Sequence, residues 1–69
     1  EEIKIYPNPT NGKININQFV DVWLFNMLGD MIIRENNINV LDVTKLNPGI
    51  YNIQILYKNN TINKRIIKN

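Results

Sequence analysis

The side chains of this chain alternate in character at every second position over most of its length. Segments 13–17, 20–25 and 51–56 each place one set of side chains on one side of an extended strand and the next set on the other. No segment keeps the i, i+3, i+4, i+7 spacing of an amphipathic helix for three turns. The β-branched residue isoleucine is abundant, which also favours strands. The pattern therefore predicts an all-β protein.

Turn-forming residues divide these segments at short intervals. Turns are expected at residues 7–12, Leu28-Gly29-Asp30, Asn36-Asn37, Asn47-Pro48-Gly49 and Asn59-Asn60. Asn11-Gly12 suits positions of positive φ, and Pro48-Gly49 has the residue order of a type II turn. Asn59-Asn60 is expected to close a two-residue hairpin, because Asn tolerates the left-handed region.

The turns leave about seven short segments with strand character. They are residues 3–6, 13–17, 20–26, 31–35, 40–43, 50–58 and 61–67. Seven short antiparallel strands with frequent turns are typical of a small immunoglobulin-like β-sandwich, and a flattened barrel is the alternative. With 69 residues, the chain is expected to form one domain, residues 1–69.

Composition and charge restrict the kinds of partner that the chain is expected to bind. The net charge is only +2, whereas a nucleic-acid-binding domain concentrates far more positive charge, so no nucleic-acid partner is expected. The longest apolar runs are a few residues, far short of the roughly 20 needed to span a membrane. The chain begins at Glu1 without a methionine or a signal peptide. We therefore expect it to be cut from the end of a longer protein, whose signal peptide would lie far upstream.

The residue types that carry most enzyme chemistry are missing. The chain has no His, Ser or Cys, and Thr10, Thr44 and Thr61 all fall at predicted turns or strand ends. Its six acidic residues are scattered, and no Asp-x-Asp-x-Asp loop or glycine-rich phosphate loop occurs. We expect a domain that is not an enzyme, with no catalytic residue, no cofactor and no metal site.

Two aromatic residues occupy unexpected positions in the alternation. Trp23 and Phe25 lie on the face opposite Val22 and Leu24. In a two-layer fold they either pack beneath a loop or the chain ends, or form an exposed apolar patch for a partner or a sugar.

Four motifs occur in a characteristic order along the chain. They are Tyr6-Pro7-Asn8-Pro9, Leu24-Phe25-Asn26-Met27-Leu28-Gly29, Leu46-Asn47-Pro48-Gly49-Ile50-Tyr51 and Lys64-Arg65-Ile66-Ile67-Lys68. In this order the chain resembles the type A C-terminal sorting domain of the type IX secretion system of Bacteroidetes-type bacteria. The positions that match the family motif, and to which we assign structural roles, are Tyr6, Pro7, Asn8, Pro9, Gly29, Leu46, Gly49 and Tyr51.

The resemblance implies a fold, a route and a set of partners. Such domains are immunoglobulin-like sandwiches at the end of a cargo protein, and the cargo passes through the periplasm. The implied partners are the upstream cargo domain on the same chain, the outer-membrane translocon and a surface sortase. The sortase would remove the domain and attach the cargo to the cell surface, so the product is secreted or held at the outer-membrane surface.

The basic last segment has two interpretations. Lysines on an edge strand protect against aggregation. With the resemblance, the same segment is a candidate for recognition by the translocon, with β-strand addition as one possible mode. The candidate residues are Lys64, Arg65, Ile66, Ile67, Lys68 and Asn69. The alternative function is a passive adhesion or carbohydrate-binding module of the same fold, with Trp23 and Phe25 as its site.

Overall fold

A computed structural model describes residues 2–69, which form an antiparallel β-sheet and contain no helix. The five strands are β1 (Ile5–Tyr6), β2 (Lys13–Phe25), β3 (Met31–Asp42), β4 (Gly49–Tyr57) and β5 (Asn60–Lys68). The all-β prediction is confirmed.

Strand β2 is the centre of the sheet. It pairs with β3 along one edge, and along the other edge with β1 near its start and β4 near its end. Strand β4 then pairs with β5. The sheet is curled, so that one face of most strands turns towards a common interior.

The predicted number of seven strands is wrong, and the immunoglobulin-like arrangement is not confirmed. Segments 13–17 and 20–26 are one strand, β2, and segments 31–35 and 40–43 are one strand, β3. The β2–β3 register shifts between the pairs Val20–Ile38 and Val22–Glu35, which enclose Asn36 and Asn37, and Asn37 has a φ of 55°. Irregularities of this kind bend a strand without ending it, so the Asn36-Asn37 signal marks a bulge where a turn was predicted.

The alternating pattern correctly identifies the side chains of the interior. The buried apolar residues are Ile3, Ile14, Ile16, Val20, Val22, Leu24, Leu41, Val43, Ile53, Ile55 and Ile66. The buried residues have even numbers along β2 and odd numbers along β4, so each strand keeps its apolar side chains on the concave face. Burial of this set supplies the main stabilising free energy of the domain.

The β4–β5 hairpin has the predicted two-residue loop, displaced by one residue. The loop residues are Lys58 and Asn59, with φ values of 50° and 66°, and Asn60 already belongs to β5. Positive φ at both positions is the requirement of a type I′ turn, whose twist matches the flanking strands.

Two other turn predictions need correction. Gly12 has no positive φ; its role is close approach, because a Cβ atom there would lie 2.8 Å from Thr44 Oγ1. The predicted type II turn at Asn47-Pro48-Gly49 is replaced by an earlier turn, closed by a 3.0 Å hydrogen bond from Leu46 N to Val43 O. Gly49 is already the first residue of β4.

Candidate recognition site along the terminal strand

The six candidate residues at the end of the chain do not form one exposed surface. Ile66 and Lys68 are buried and Lys64 is half-buried, whereas Arg65, Ile67 and Asn69 are exposed. This follows from the alternation of β5, in which the even-numbered residues share a face with the core. A partner that binds the outer face of this segment would therefore contact Arg65, Ile67 and Asn69.

Lys68 is a structural residue. Its side chain is 8% exposed, and its ammonium group donates hydrogen bonds to the main-chain oxygens of Leu46 and Asn69, each at 3.1 Å. A buried charge is costly unless polar groups surround it, and these two carbonyl-type oxygens provide that environment. The cation thereby ties the end of β5 to the loop before β4.

The edge of β5 that faces away from β4 is joined to the motif Tyr6–Pro9 and its neighbour Thr10. Asn8 Nδ2 donates to Arg65 O at 2.9 Å, and Ile67 N donates to Asn8 Oδ1 at 3.0 Å. Thr10 N donates to Ile67 O at 2.8 Å, and Asn69 N donates to Thr10 O at 2.9 Å. We call this contact between residues 8–10 and β5 the seam.

The side chain of Asn8 makes the hydrogen bonds to β5 that the main chain of a neighbouring strand would otherwise make. Its amide group supplies one donor and one acceptor to β5, which is the pair that a neighbouring backbone would supply. Pro7 and Pro9 lack backbone N–H groups and are exposed, and both preceding peptide bonds are cis. The side chain of Tyr6 is 53% exposed.

Thr10 is a structural residue that the sequence did not identify as one. It is buried, its hydroxyl group donates to Lys13 O at 2.8 Å, and it accepts from Gly12 N at 3.1 Å. A threonine that precedes Asn-Gly has the short local hydrogen-bonding side chain from which such a role could have been inferred.

Gly29 lies in the turn between β2 and β3 and has a φ of 93°. Asn26 organises this turn, because its Oδ1 atom accepts hydrogen bonds from Leu28 N and Asp30 N, each at 2.9 Å. Asn26 was not among the predicted structural positions, although Asn is a common residue at the start of such turns. The turn carries the most exposed apolar side chain, Leu28, which is 88% exposed.

Leu46 and Tyr51 both contribute to the packing before and within β4. Leu46 is partly buried against the core, and its carbonyl oxygen accepts the bond from Lys68. Tyr51 also packs against the core, and its hydroxyl group donates to Asn47 O at 2.6 Å. The two residues thereby connect the segment before β4 with β5 and with β4 itself.

Trp23 and Phe25 are half-buried on the convex face of the sheet. Trp23 pairs across the sheet with Arg34, whose guanidinium carbon lies 5.8 Å from the centre of the indole ring. This distance suits a cation–π contact. Phe25 pairs with Met31 on β3 and with Asn52 on β4. The two aromatic residues are therefore partly covered by side chains of the neighbouring strands.

Asp42 ends β3 and fixes the loop that follows it. Hydrogen bonds from the Thr44 side chain and then from the Thr44 main-chain N–H hold the pKa of the Asp42 carboxyl below its usual range, and the charges of Lys13 and Lys45 act in the same direction. Within residues 2–69, no group of three or more His, Cys, Asp or Glu side chains is placed to hold a metal ion.

A cleft opens where residues 2–6 separate from β5. Its walls are residues 2–6, Asn8, Lys64 and Arg65, and its volume is about 550 Å³. We call it the β1–β5 cleft. It continues the seam towards the start of the chain, and it adjoins two of the six candidate residues. In the part of the chain that the structure describes, no helix is long and apolar enough to cross a membrane.

These features define a small β-sheet module that presents its last strand beside an open cleft. A family model described as the secretion system C-terminal sorting domain matches residues 4–69. The match covers nearly the whole chain, and the protein belongs to this family, the sorting domains of type IX secretion. A search of curated proteins finds no match to the chain.

Proposed function

We propose that this domain is a folded sorting signal that directs an exported cargo protein across the outer membrane through the type IX machinery. The family match over residues 4–69 carries the proposal. Membership implies an exported protein, either secreted or attached to the surface, and a partner in the secretion machinery. We further propose periplasmic transit of the cargo, contact with the outer-membrane translocon, removal of the domain by a surface sortase, and attachment of the cargo to the cell surface.

We propose that β5 is the part of the domain that the translocon contacts. Arg65, Ile67 and Asn69 support this, because they are exposed at the end of the strand and the seam holds them in fixed positions. Ile66 and Lys68 contribute indirectly, since they anchor the strand to the core and to the loop at Leu46.

The domain is proposed to act by binding alone, without catalysis or a cofactor. The sequence contains no His, Ser or Cys to serve as the base or nucleophile of the common hydrolytic mechanisms. Binding to the machinery would require only a stable fold with a suitable surface.

An export assay tests the proposal. A reporter with an N-terminal export signal is fused to this domain and produced in a type IX-competent cell, and the same reporter without the domain is the control. We expect the fusion in the medium or on the surface and the control in the periplasm. Sortase action is expected to reduce the mass of the exported reporter by about the mass of the domain, 8.1 kDa. Retention of the fusion in the periplasm would contradict the proposal.

Carbohydrate binding at Trp23 and Phe25 is a separate prediction with its own test. The partial cover of Trp23 by Arg34 leaves less of the indole ring for stacking on a sugar. Titration with a panel of glycans, followed by the fluorescence of Trp23, would detect such binding. Unchanged fluorescence across the panel would exclude a sugar site at this position.

A further inference from the structure

The two walls of the β1–β5 cleft are joined at one end only. The bridge between Thr10 and Lys68 is parallel, so residues 8–10 run in the same direction as the end of β5. The seam joins them at Asn8 and Thr10. Among the described residues, no main-chain hydrogen bond joins residues 2–6 to β5, and the two stretches separate into the cleft.

The strand registers show which main-chain groups point into this cleft. Lys4 O accepts from Asn17 N at 3.1 Å, so Lys4 and Tyr6 direct their main-chain groups towards β2. Because successive residues of a strand alternate, Ile3 and Ile5 direct theirs away from β2 and towards β5. The main-chain groups of Ile3 and Ile5 therefore form an edge without a neighbouring strand.

Strand β5, the opposite wall of the cleft, also presents main-chain groups at an edge that lacks a neighbouring strand within residues 2–69. Lys64 and Ile66 lie opposite β4 residues in the hairpin, in positions that exchange main-chain hydrogen bonds with β4. The odd-numbered residues of β5 consequently direct their N–H and C=O groups to the other edge. There, Arg65 O and the main-chain groups of Ile67 are bonded to Asn8 and Thr10, whereas the N–H of Arg65 lies in the wall of the cleft and the main-chain groups of Asn63 continue the same edge just beyond it.

The charge of the cleft favours one kind of occupant. Among the described residues, its walls contain the cations Lys4, Lys64 and Arg65 and one acidic residue, Glu2. Lys64 is half-buried, and within residues 2–69 no hydrogen bond or ion pair engages its ammonium group. An ammonium group without a charged partner among the described residues is available to pair with a carboxylate of a bound segment.

We propose that the β1–β5 cleft binds an extended acidic segment of a protein partner, which adds as a strand to the free edge at Asn63 and Arg65 and places a carboxylate against Lys64. The proposal rests on the proposed function, because it identifies the chemistry of the segment that the secretion machinery would offer to β5. Main-chain hydrogen bonds supply affinity in strand addition, and the charged pair supplies selectivity.

The test uses the 69-residue chain labelled with ¹⁵N and a synthetic peptide, acetyl-Thr-Val-Glu-Val-Glu-Val-Thr-amide. We expect the peptide to shift the amide signals of Ile3, Ile5, Asn63 and Arg65 and to slow the hydrogen exchange of Asn63 and Arg65. The dissociation constant should lie below about 1 mM. A peptide with lysine in place of both glutamates should bind at least about tenfold more weakly, because it repels Lys64.

Two variants and one control test the charged contact and the main-chain contacts of the proposal separately. Lys64→Glu should weaken binding about tenfold by reversing the charge. Asn63→Pro should abolish binding, because it removes an edge N–H that no strand within residues 2–69 uses. Lys58→Glu makes the same charge change in the β4–β5 loop, outside the cleft, and should leave binding unchanged. The urea midpoint of each variant establishes that it remains folded.

Several results would overturn the inference. The first two are the absence of any amide shift at 1 mM peptide and equal binding of the lysine and glutamate peptides. The other two are shifts confined to the exposed turn at Met27 and Leu28, and self-association of the domain through this edge. The export assay keeps this failure distinct from failure of the proposed function. If a folded Asn63→Pro fusion is exported normally, the cleft is not used and the inference fails while the sorting role stands. If the intact fusion stays in the periplasm, the sorting role itself fails.

Discussion

The two edges of β5 are held in different ways. On the side of β4, the register is continuous from the pair of Gly49 with Lys68 to the pair of Tyr57 with Asn60. On the other side, the seam depends on the side chain of Asn8 and the main chain of Thr10, and beyond them the edge opens into the β1–β5 cleft. The first edge is a regular sheet contact that secures the fold, whereas the second depends on a few individual residues and leaves room for a partner.

The largest effect is expected from the edge shared with β4, where the core side chains lie. Ile55 is completely buried. Ile55→Ala should cost about 2–5 kcal/mol in the free energy of unfolding, which is comparable with the ~3–5 kcal/mol available to a single small core. Urea unfolding followed by Trp23 fluorescence should therefore show a transition midpoint at a much lower urea concentration than in the unmodified chain. Ile50→Ala, on the exposed face of the same strand, is the control and should change stability by less than about 1 kcal/mol. Equal effects of the two changes would show that the inward and outward faces of β4 are wrongly assigned.

A smaller effect is expected at the seam. Asn8→Ala removes two hydrogen bonds to β5 and should reduce the free energy of unfolding by about 1–3 kcal/mol. Hydrogen exchange should also become faster at Ile67 N, whose acceptor is lost, while Ile66, paired with β4, changes less. Asn39→Ala, at an exposed position of β3, serves as the control. If exchange at Ile67 N is unaffected in Asn8→Ala, the side chain of Asn8 does not hold the seam.

Lys68 tests whether a basic residue of the tail stabilises the fold or contacts a partner. Lys68→Met keeps the length of the side chain and removes its two hydrogen bonds, so we expect a loss of about 1–2 kcal/mol. Export of the reporter should continue as long as the domain remains folded. Loss of export in a folded Lys68→Met domain would instead show that the machinery contacts this ammonium group.

The smallest effect is expected at Asp42, which lies at neither edge of β5. Because its pKa is lowered in the folded state, its contribution to stability is present above the unfolded-state pKa of about 3.9 and is lost as the pH falls through the folded-state value. Asp42→Asn should therefore show a smaller decrease in melting temperature between pH 6 and pH 3 than the unmodified chain. Glu35→Gln, at an exposed position of β3, is the control. An unchanged pH dependence in Asp42→Asn would contradict the role assigned to Thr44.

The regular parts of this structure could be predicted from the sequence, because they depend on local periodicity. The inward positions of Ile14, Ile16, Val22, Leu24 and Ile53 follow directly from alternation, and all five are buried. The bulge in β3 could not be separated from a turn, because Asn is suited to positive φ in either setting. This ambiguity divided β3 into two predicted strands.

The seam and the buried cation could not be predicted, because each depends on residues distant in the chain. Asn8 bonds to residues 57 and 59 positions away, and Lys68 bonds to Leu46, 22 positions away. Their sequence neighbourhoods resemble those of ordinary exposed polar residues. The family motifs include Asn8 and Leu46, and in the structure both residues make long-range hydrogen bonds to β5.

The most direct test of the central claim, that β5 of a folded domain is the sorting signal, is export of the reporter with Arg65→Glu, compared with Lys58→Glu. Both changes reverse one exposed charge, at the end of β5 in the first case and in the β4–β5 loop in the second. The predicted result is that Arg65→Glu remains folded and leaves the reporter in the periplasm, while Lys58→Glu is exported as the unmodified domain is. Equal export of both variants would contradict the assignment of recognition to the terminal strand.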